Sequence, residues 1–64
     1  MDSIEIWRSA ASLILKYKCA AAEVAAMRAW SARDLGDSIG FEHWRRIGSA
    51  IIELEKTRED RTMN

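Results

Sequence analysis

Residues 35–54, LGDSIGFEHWRRIGSAIIEL, decide the fold because they contain a turn and the clearest helical pattern of the chain. Gly36 can end one helix, since glycine adopts a left-handed conformation without steric cost. Asp37 or Ser38 can then cap the next helix at once. Apolar residues at spacings of three or four predict the core stripe of that helix: Phe41, Trp44, Ile47, Gly48, Ile51 and Leu54.

The preceding segment predicts a helix over residues 20–35 with a buried face of small residues. That face consists of Ala21, Ala25, Ala29 and Ala32. Val24 and Leu35 are expected to flank the alanines, and the stem of Arg28 is expected to run along the core to water. Trp30 falls on the opposite side near Met27, a composition typical of interface cores. Burial of Trp30 within the chain is the alternative.

A first helix is predicted over residues 3–18, with apolar side chains over an arc of about 200°, roughly twice an ordinary core stripe. One neighbouring helix cannot cover such an arc. Neither glycine nor proline marks the end of this helix, near Lys18 and Cys19.

The predicted fold is therefore all-α, an up-down-up three-helix bundle with helices at 3–18, 20–35 and 38–57, because short connections make successive helices antiparallel. The domain is expected to span residues 1–56, and 57–64 to form a polar, frayed tail. The side chains expected to be buried are Trp7, Ile14, Trp44, Ile47, Ile51 and Leu54.

Composition excludes several classes of protein. Sixty-four residues make one small domain. Its ten basic side chains balance its ten acidic ones, and neither half of the chain has a strong excess of one charge. The chain therefore lacks the excess of basic side chains that is typical of a nucleic-acid binder. The acidic start and the lack of an apolar run of about 20 residues argue against a secretory signal and a membrane span. With a single cysteine, we expect a reduced, cytoplasmic location.

The residues available for catalysis are sparse. A thiol hydrolase would need Cys19 beside His43, but a whole predicted helix of about 22 Å separates them. No recurring ligand pair predicts a metal site, and the isolated glycines form no phosphate-binding loop. We therefore expect no enzyme activity, no metal and no cofactor.

DNA binding is the alternative function, because a glycine turn joins the second and third helices as in helix-turn-helix proteins. The nucleic-acid contacts would be His43, Arg45, Arg46 and Ser49 on the third helix. This interpretation gains weight if these residues form an open ridge, and loses it if Glu42 and Glu53 neutralise the arginines.

The segment from about Ser12 to Leu54 resembles a group of short, uncharacterised helical proteins of alphaproteobacteria. The features that carry the resemblance are Gly36-Asp37, then Trp44-Arg45-Arg46-Ile47, then Ile51 and Leu54. The resemblance implies a bacterial cytosolic protein with an all-helical fold and carries over no activity. The chain departs from the group at Ala20, where a polar helix cap is expected.

The function expected from the sequence is that of a protein–protein interaction module acting as a homodimer, with itself or another protein as partner. Small domains have marginal stability on their own, and oligomerisation can stabilise them. Two-fold dimers are the commonest oligomers. The candidate interface residues are Ile6, Leu13, Tyr17, Met27 and Trp30. Ile4 and Leu15, at the other edge of the arc, are expected to face the third helix.

Overall fold

The computed structural model describes the backbone of residues 3–62 and the side chains of residues 3–57, and every regular element in this part of the chain is helical. The elements are α1 (Ser3–Tyr17), a 3₁₀ turn (Lys18–Ala20), α2 (Ala21–Asp34) and α3 (Ser38–Thr62). Helix α3 packs against both α1 and α2, most extensively against α2. The predicted all-α class is confirmed.

Two adjacent residues make the turn between α2 and α3. Gly36 has φ +76°, the left-handed conformation predicted for it. Its N–H donates to the Arg33 carbonyl at 3.0 Å, and the Asp37 N–H donates to the Ala32 carbonyl at 2.8 Å. These two bonds form a Schellman motif that satisfies carbonyls at the end of α2. The Asp37 carboxylate then accepts a 2.9 Å bond from the Gly40 N–H, which caps α3 as predicted.

The connection between α1 and α2 uses no glycine. Lys18 has φ +54°, and the 3₁₀ turn that it begins leads directly into α2. The Ala21 N–H closes this turn on the Lys18 carbonyl. Ala20 occupies the N-cap position of α2 but cannot supply a side-chain cap. The chain therefore changes direction where the sequence carries no ordinary stop signal.

The core lies where the three helices meet and is built largely from small side chains. Its main members are Ile6, Ala10, Leu13, Ala21, Ala25, Ile47, Ala50 and Ile51. All four alanines of the predicted α2 face are buried, as are Ile47 and Ile51 of the predicted α3 stripe. Gly48 faces Ala25, so the backbones of α2 and α3 approach closely at this point. No buried polar side chain occurs among residues 3–57.

Some burial predictions were wrong. Trp7 is 43% exposed and Leu35 is 84% exposed, although both were expected to pack on the core. Ile14 and Leu54 are half-buried at its margin. On α1, the edge that carries the small Ala10 packs against the neighbouring helices. Because this edge faces inward, Trp7 is turned outward.

Trp44 is also only half-buried, because its ring closes the side of the core rather than its centre. The Arg28 guanidinium lies over this ring, 4.9 Å from its centroid. Arg28 itself is exposed, as expected of a side chain that follows the core to reach water.

The third helix is longer than predicted, since α3 continues from residue 57 to Thr62. The predicted boundary between residues 1–56 and the tail 57–64 therefore does not coincide with the end of a helix. Met63 and Asn64 lie outside the described residues.

Candidate functional site

The outward face of α2 carries two large exposed apolar side chains. Trp30 is 67% and Met27 is 69% exposed, and they line a shallow depression with Glu23, Ala26 and Ser31. Because the alanines occupy the opposite side of α2, Trp30 points away from the core. The alternative that Trp30 is buried within the chain is therefore wrong.

The other candidate interface residues lie elsewhere. Ile6 and Leu13 are buried in the core of the single chain, and Tyr17 packs partly against it. Ile6, Leu13 and Tyr17 lie on the edge of α1 that faces α2 and α3. They are therefore not on the same surface as Met27 and Trp30. Ile6 and Leu13 are removed from the candidate interface by their burial.

The opposite edge of α1 is the exposed one. Ile4 is 61% exposed and Leu15 is 80% exposed, so the expectation that they face the third helix was wrong. Together with Trp7 and Ala11, which are also exposed, they follow the helix at spacings of three, four and four. We call these four residues the α1 stripe.

The α1 stripe borders two grooves shared with α3. Trp7 lines one of about 330 Å³ with Ser3, Ile6, Arg46 and Ser49 among its walls. The other groove, of about 390 Å³, is lined by Ala11, Ile14, Leu15, Leu54 and Glu55. Apolar surface therefore continues from the α1 stripe onto α3. The signal for it in the sequence was the wide apolar arc, but the arc alone did not show which edge would be exposed.

On the polar face of α3, a single carboxylate holds both arginines. Arg45 Nη2 donates to Glu42 Oε1 at 2.7 Å, and Arg45 Nε donates to Glu42 Oε2 at 3.0 Å. Arg46 Nε lies 3.6 Å from Glu42 Oε1. Hydrogen bonding from Arg45, assisted by both positive charges, lowers the pKa of Glu42 below its ordinary value. Hydrogen bonding and the charge of Glu42 likewise raise the pKa of Arg45.

The remaining nucleic-acid candidates adjoin the arginines. Ser49 lines the Trp7 groove together with Arg45 and Arg46, and Glu53 lines the same groove. The half-buried His43 borders a depression shared with Glu42 and Arg46, and its ring meets the Trp44 ring edge-on, with centroids 5.7 Å apart. Glu42 therefore neutralises much of the positive charge on this face, the outcome that was expected to weaken the DNA-binding interpretation.

Cys19 and His43 are not brought together. Cys19 is exposed in the 3₁₀ turn, whereas His43 adjoins Trp44, which contacts Arg28. Arg28 lies nine residues beyond Cys19, about 13 Å along a helix axis. Among residues 3–57, no three His, Cys, Asp or Glu side chains are grouped as metal ligands.

None of the described helices combines the length and apolar character that crossing a bilayer requires. Comparison of the chain with protein-family models, with curated proteins and with solved structures gives no match in any of the three.

Proposed function

We propose that this chain is a protein–protein interaction module that acts as a homodimer in a bacterial cytoplasm. The observation that carries the proposal is the outward placement of large apolar side chains on two helices of a very small domain. Trp30 and Met27 lie on α2, and Ile4, Trp7 and Leu15 lie on α1. Exposed apolar surface of this extent is typical of interaction sites.

The size of the core supports association. Of the core residues, only Ile47 and Ile51 are large side chains removed completely from solvent. A domain below about 70 residues rarely gains more than about 3–5 kcal/mol from its core. A second copy would add buried apolar area, and a net charge of zero does not oppose its approach.

We also propose that the fold acts as an up-down-up three-helix bundle. The grooves beside α1 support this arrangement. Ser3, at the start of α1, shares a groove with Arg46, whereas Leu15, near its end, shares one with Leu54. The start of α1 thus lies beside an earlier part of α3 than its end does. This order supports α1 and α3 running in the same direction, with α2 antiparallel to both.

Helix-turn-helix DNA binding through the third helix remains the second candidate, on the strength of the tight turn at Gly36 and Asp37. It receives less support than self-association, because Glu42 engages both Arg45 and Arg46. Phosphate neutralisation by cationic side chains supplies much of the affinity for DNA.

Sedimentation equilibrium of the wild-type chain tests the homodimer. We expect a reversible rise from the chain mass of 7.3 kDa towards twice that mass as concentration increases through the micromolar range. Circular dichroism checks that the protein is folded. A helical protein that keeps the monomer mass at about 200 μM would contradict the proposal.

A further inference from the structure

We propose that the outward face of α2 docks a basic amphipathic helix of another protein. The docking residues are Glu23, Met27, Trp30 and Asp34, all exposed, and we call them the α2 line. This inference rests on the proposed role as an interaction module and adds a partner other than a second copy. It does not depend on the homodimer.

The α2 line runs along one side of its helix. At about 100° per residue, its four members fall within an arc of about 60°. Their spacings of four, three and four residues match those of a helix-pairing seam. The small Ala26 and Ser31 line the depression of about 620 Å³ that also holds Met27 and Trp30. Small side chains at these positions leave room for the backbone of a second helix.

A carboxylate lies at each end of the α2 line. Glu23 is one turn before the apolar pair and Asp34 is one turn after it. Neither forms an ion pair with a described side chain of residues 3–57. Arg33 lies about 60° from Trp30 on the side away from Met27, so it borders the line without interrupting it. The line therefore reads acidic, apolar, apolar, acidic, and its electrostatic complement is basic, apolar, apolar, basic.

The same carboxylates disfavour a second copy on this face. An antiparallel two-fold that sets Met27 against Trp30 of a second copy also sets Glu23 against Asp34 of that copy. A parallel pairing in register sets each carboxylate against itself. Like charges placed opposite each other disfavour a contact. Nucleic acids and anionic lipid surfaces meet the same repulsion, because their phosphates are also negative.

A single continuous helix can satisfy the whole α2 line. Lysine or arginine at two positions eleven residues apart spans about 16 Å along a helix axis, the separation of Glu23 and Asp34. Two apolar residues between these cations then cover Met27 and Trp30, as in helix-in-groove recognition. Because the contact involves only one short helix, we expect a Kd of roughly 10–100 μM at low salt. Added salt should weaken the binding by screening the charges.

Two synthetic peptides test the chemistry of the partner. The basic probe is a helical peptide of about 18 residues, rich in alanine and glutamine. It carries lysine, leucine, leucine and lysine at spacings of four, three and four. The acidic probe replaces both lysines with glutamate. In an NMR titration at low salt, the basic probe should shift the amide resonances of α2 residues, and the acidic probe should bind at least tenfold more weakly.

Charge-matched variants locate the binding on the α2 line. Glu23→Gln combined with Asp34→Asn should weaken binding of the basic probe about tenfold. Glu5→Gln combined with Glu53→Gln removes the same charge from exposed positions on α1 and α3, and should leave the Kd unchanged within twofold. Because all four positions are exposed, both double variants should keep the wild-type circular dichroism spectrum.

The outcomes separate this proposal from the homodimer. No binding of the basic probe, equal binding of the acidic probe, or shifts confined to α1 and α3 overturns the basic-helix partner. A wild-type dimer that Trp30→Glu dissociates overturns it as well, because the α2 line then belongs to a second copy. A wild-type monomer that binds the basic probe through α2 overturns the homodimer and supports the basic-helix partner.

Discussion

Replacing each of three glycines with alanine should change stability in three different ways. Gly48 lies in the middle of α3, where a Cβ would meet the Ala25 Cβ at 3.8 Å, an ordinary van der Waals contact. Alanine is favoured over glycine by about 1 kcal/mol within a helix. Gly48→Ala should therefore stabilise the fold by about 1 kcal/mol.

The same substitution meets different surroundings at the other two positions. A Cβ at Gly40 would collide with the Asp37 carboxylate that caps α3. The helix gain of about 1 kcal/mol is then offset by a lost cap of about 1 kcal/mol, and Gly40→Ala should be nearly neutral. Gly36 has φ +76°. Alanine in that conformation costs about 1–2 kcal/mol, so Gly36→Ala should destabilise the fold by that amount.

Thermal melts followed by circular dichroism at one fixed concentration measure all three variants. Since 1 kcal/mol shifts the Tm of so small a domain by about 4–8 °C, the order should be Gly48→Ala, then Gly40→Ala, then Gly36→Ala. Destabilisation by Gly48→Ala of more than about 1 kcal/mol would refute the described packing of α2 on α3, because it would mean that no room exists beside Ala25. A neutral Gly36→Ala would refute the turn.

The remaining predictions concern the core and the polar face of α3. Ile51→Ala should cost about 2–5 kcal/mol and leave much of the chain unfolded at 25 °C, whereas Trp44→Ala should fall near 3 kcal/mol because that ring is half-buried; urea titration compares them. Glu42→Gln should lower the Tm at pH 7, and this effect should shrink as the pH falls below 4.5: the pKa of Glu42 is lowered by folding, so its contribution exists above the ordinary value of 4.5 and is lost as pH falls through the lowered one. An effect that keeps the same size as the pH falls would contradict the ion pair. Wild-type protein should not bind duplex DNA specifically at physiological salt; specific binding that Arg45→Ala plus Arg46→Ala abolishes would favour the second candidate function.

The α2–α3 turn and the contact faces of its helices could be predicted from the sequence because each depends on local chemistry. Gly36 takes the left-handed conformation that its position requires, and Asp37 caps the helix that follows. The alanine face of α2 followed from periodicity, since Ala21, Ala25, Ala29 and Ala32 recur at spacings of four, four and three.

The orientation of α1 could not be predicted, because both edges of its apolar arc satisfy the same periodicity. Choosing between Leu13 and Leu15 depends on which edge fits its neighbours, a property of tertiary packing. Ala10, buried at the centre of the chosen edge, permits the close approach. The end of the first helix was predicted near Lys18 and Cys19, but the left-handed conformation of Lys18 (φ +54°) was not, because a lysine gives no local signal for it.

For the candidate site, exposure of Trp30 beside Met27 was one of two alternatives that the sequence left open, and their supposed neighbours on α1 were taken from the wrong edge. Ile6 and Leu13 are as apolar as Ile4 and Leu15, so sequence pattern could not rank the two edges. The width of the arc did predict that α1 would keep apolar surface exposed, and Leu15 carries that surface.

Disulfide trapping on the two exposed apolar surfaces tests the proposed dimer most directly. In a Cys19→Ser background, Ala11→Cys places an exposed thiol on α1 and Ala26→Cys places an exposed thiol on α2. Mild oxidation at low micromolar concentration should convert most of at least one variant to a covalent dimer. Two variants that both stay monomeric under these conditions would contradict the homodimer.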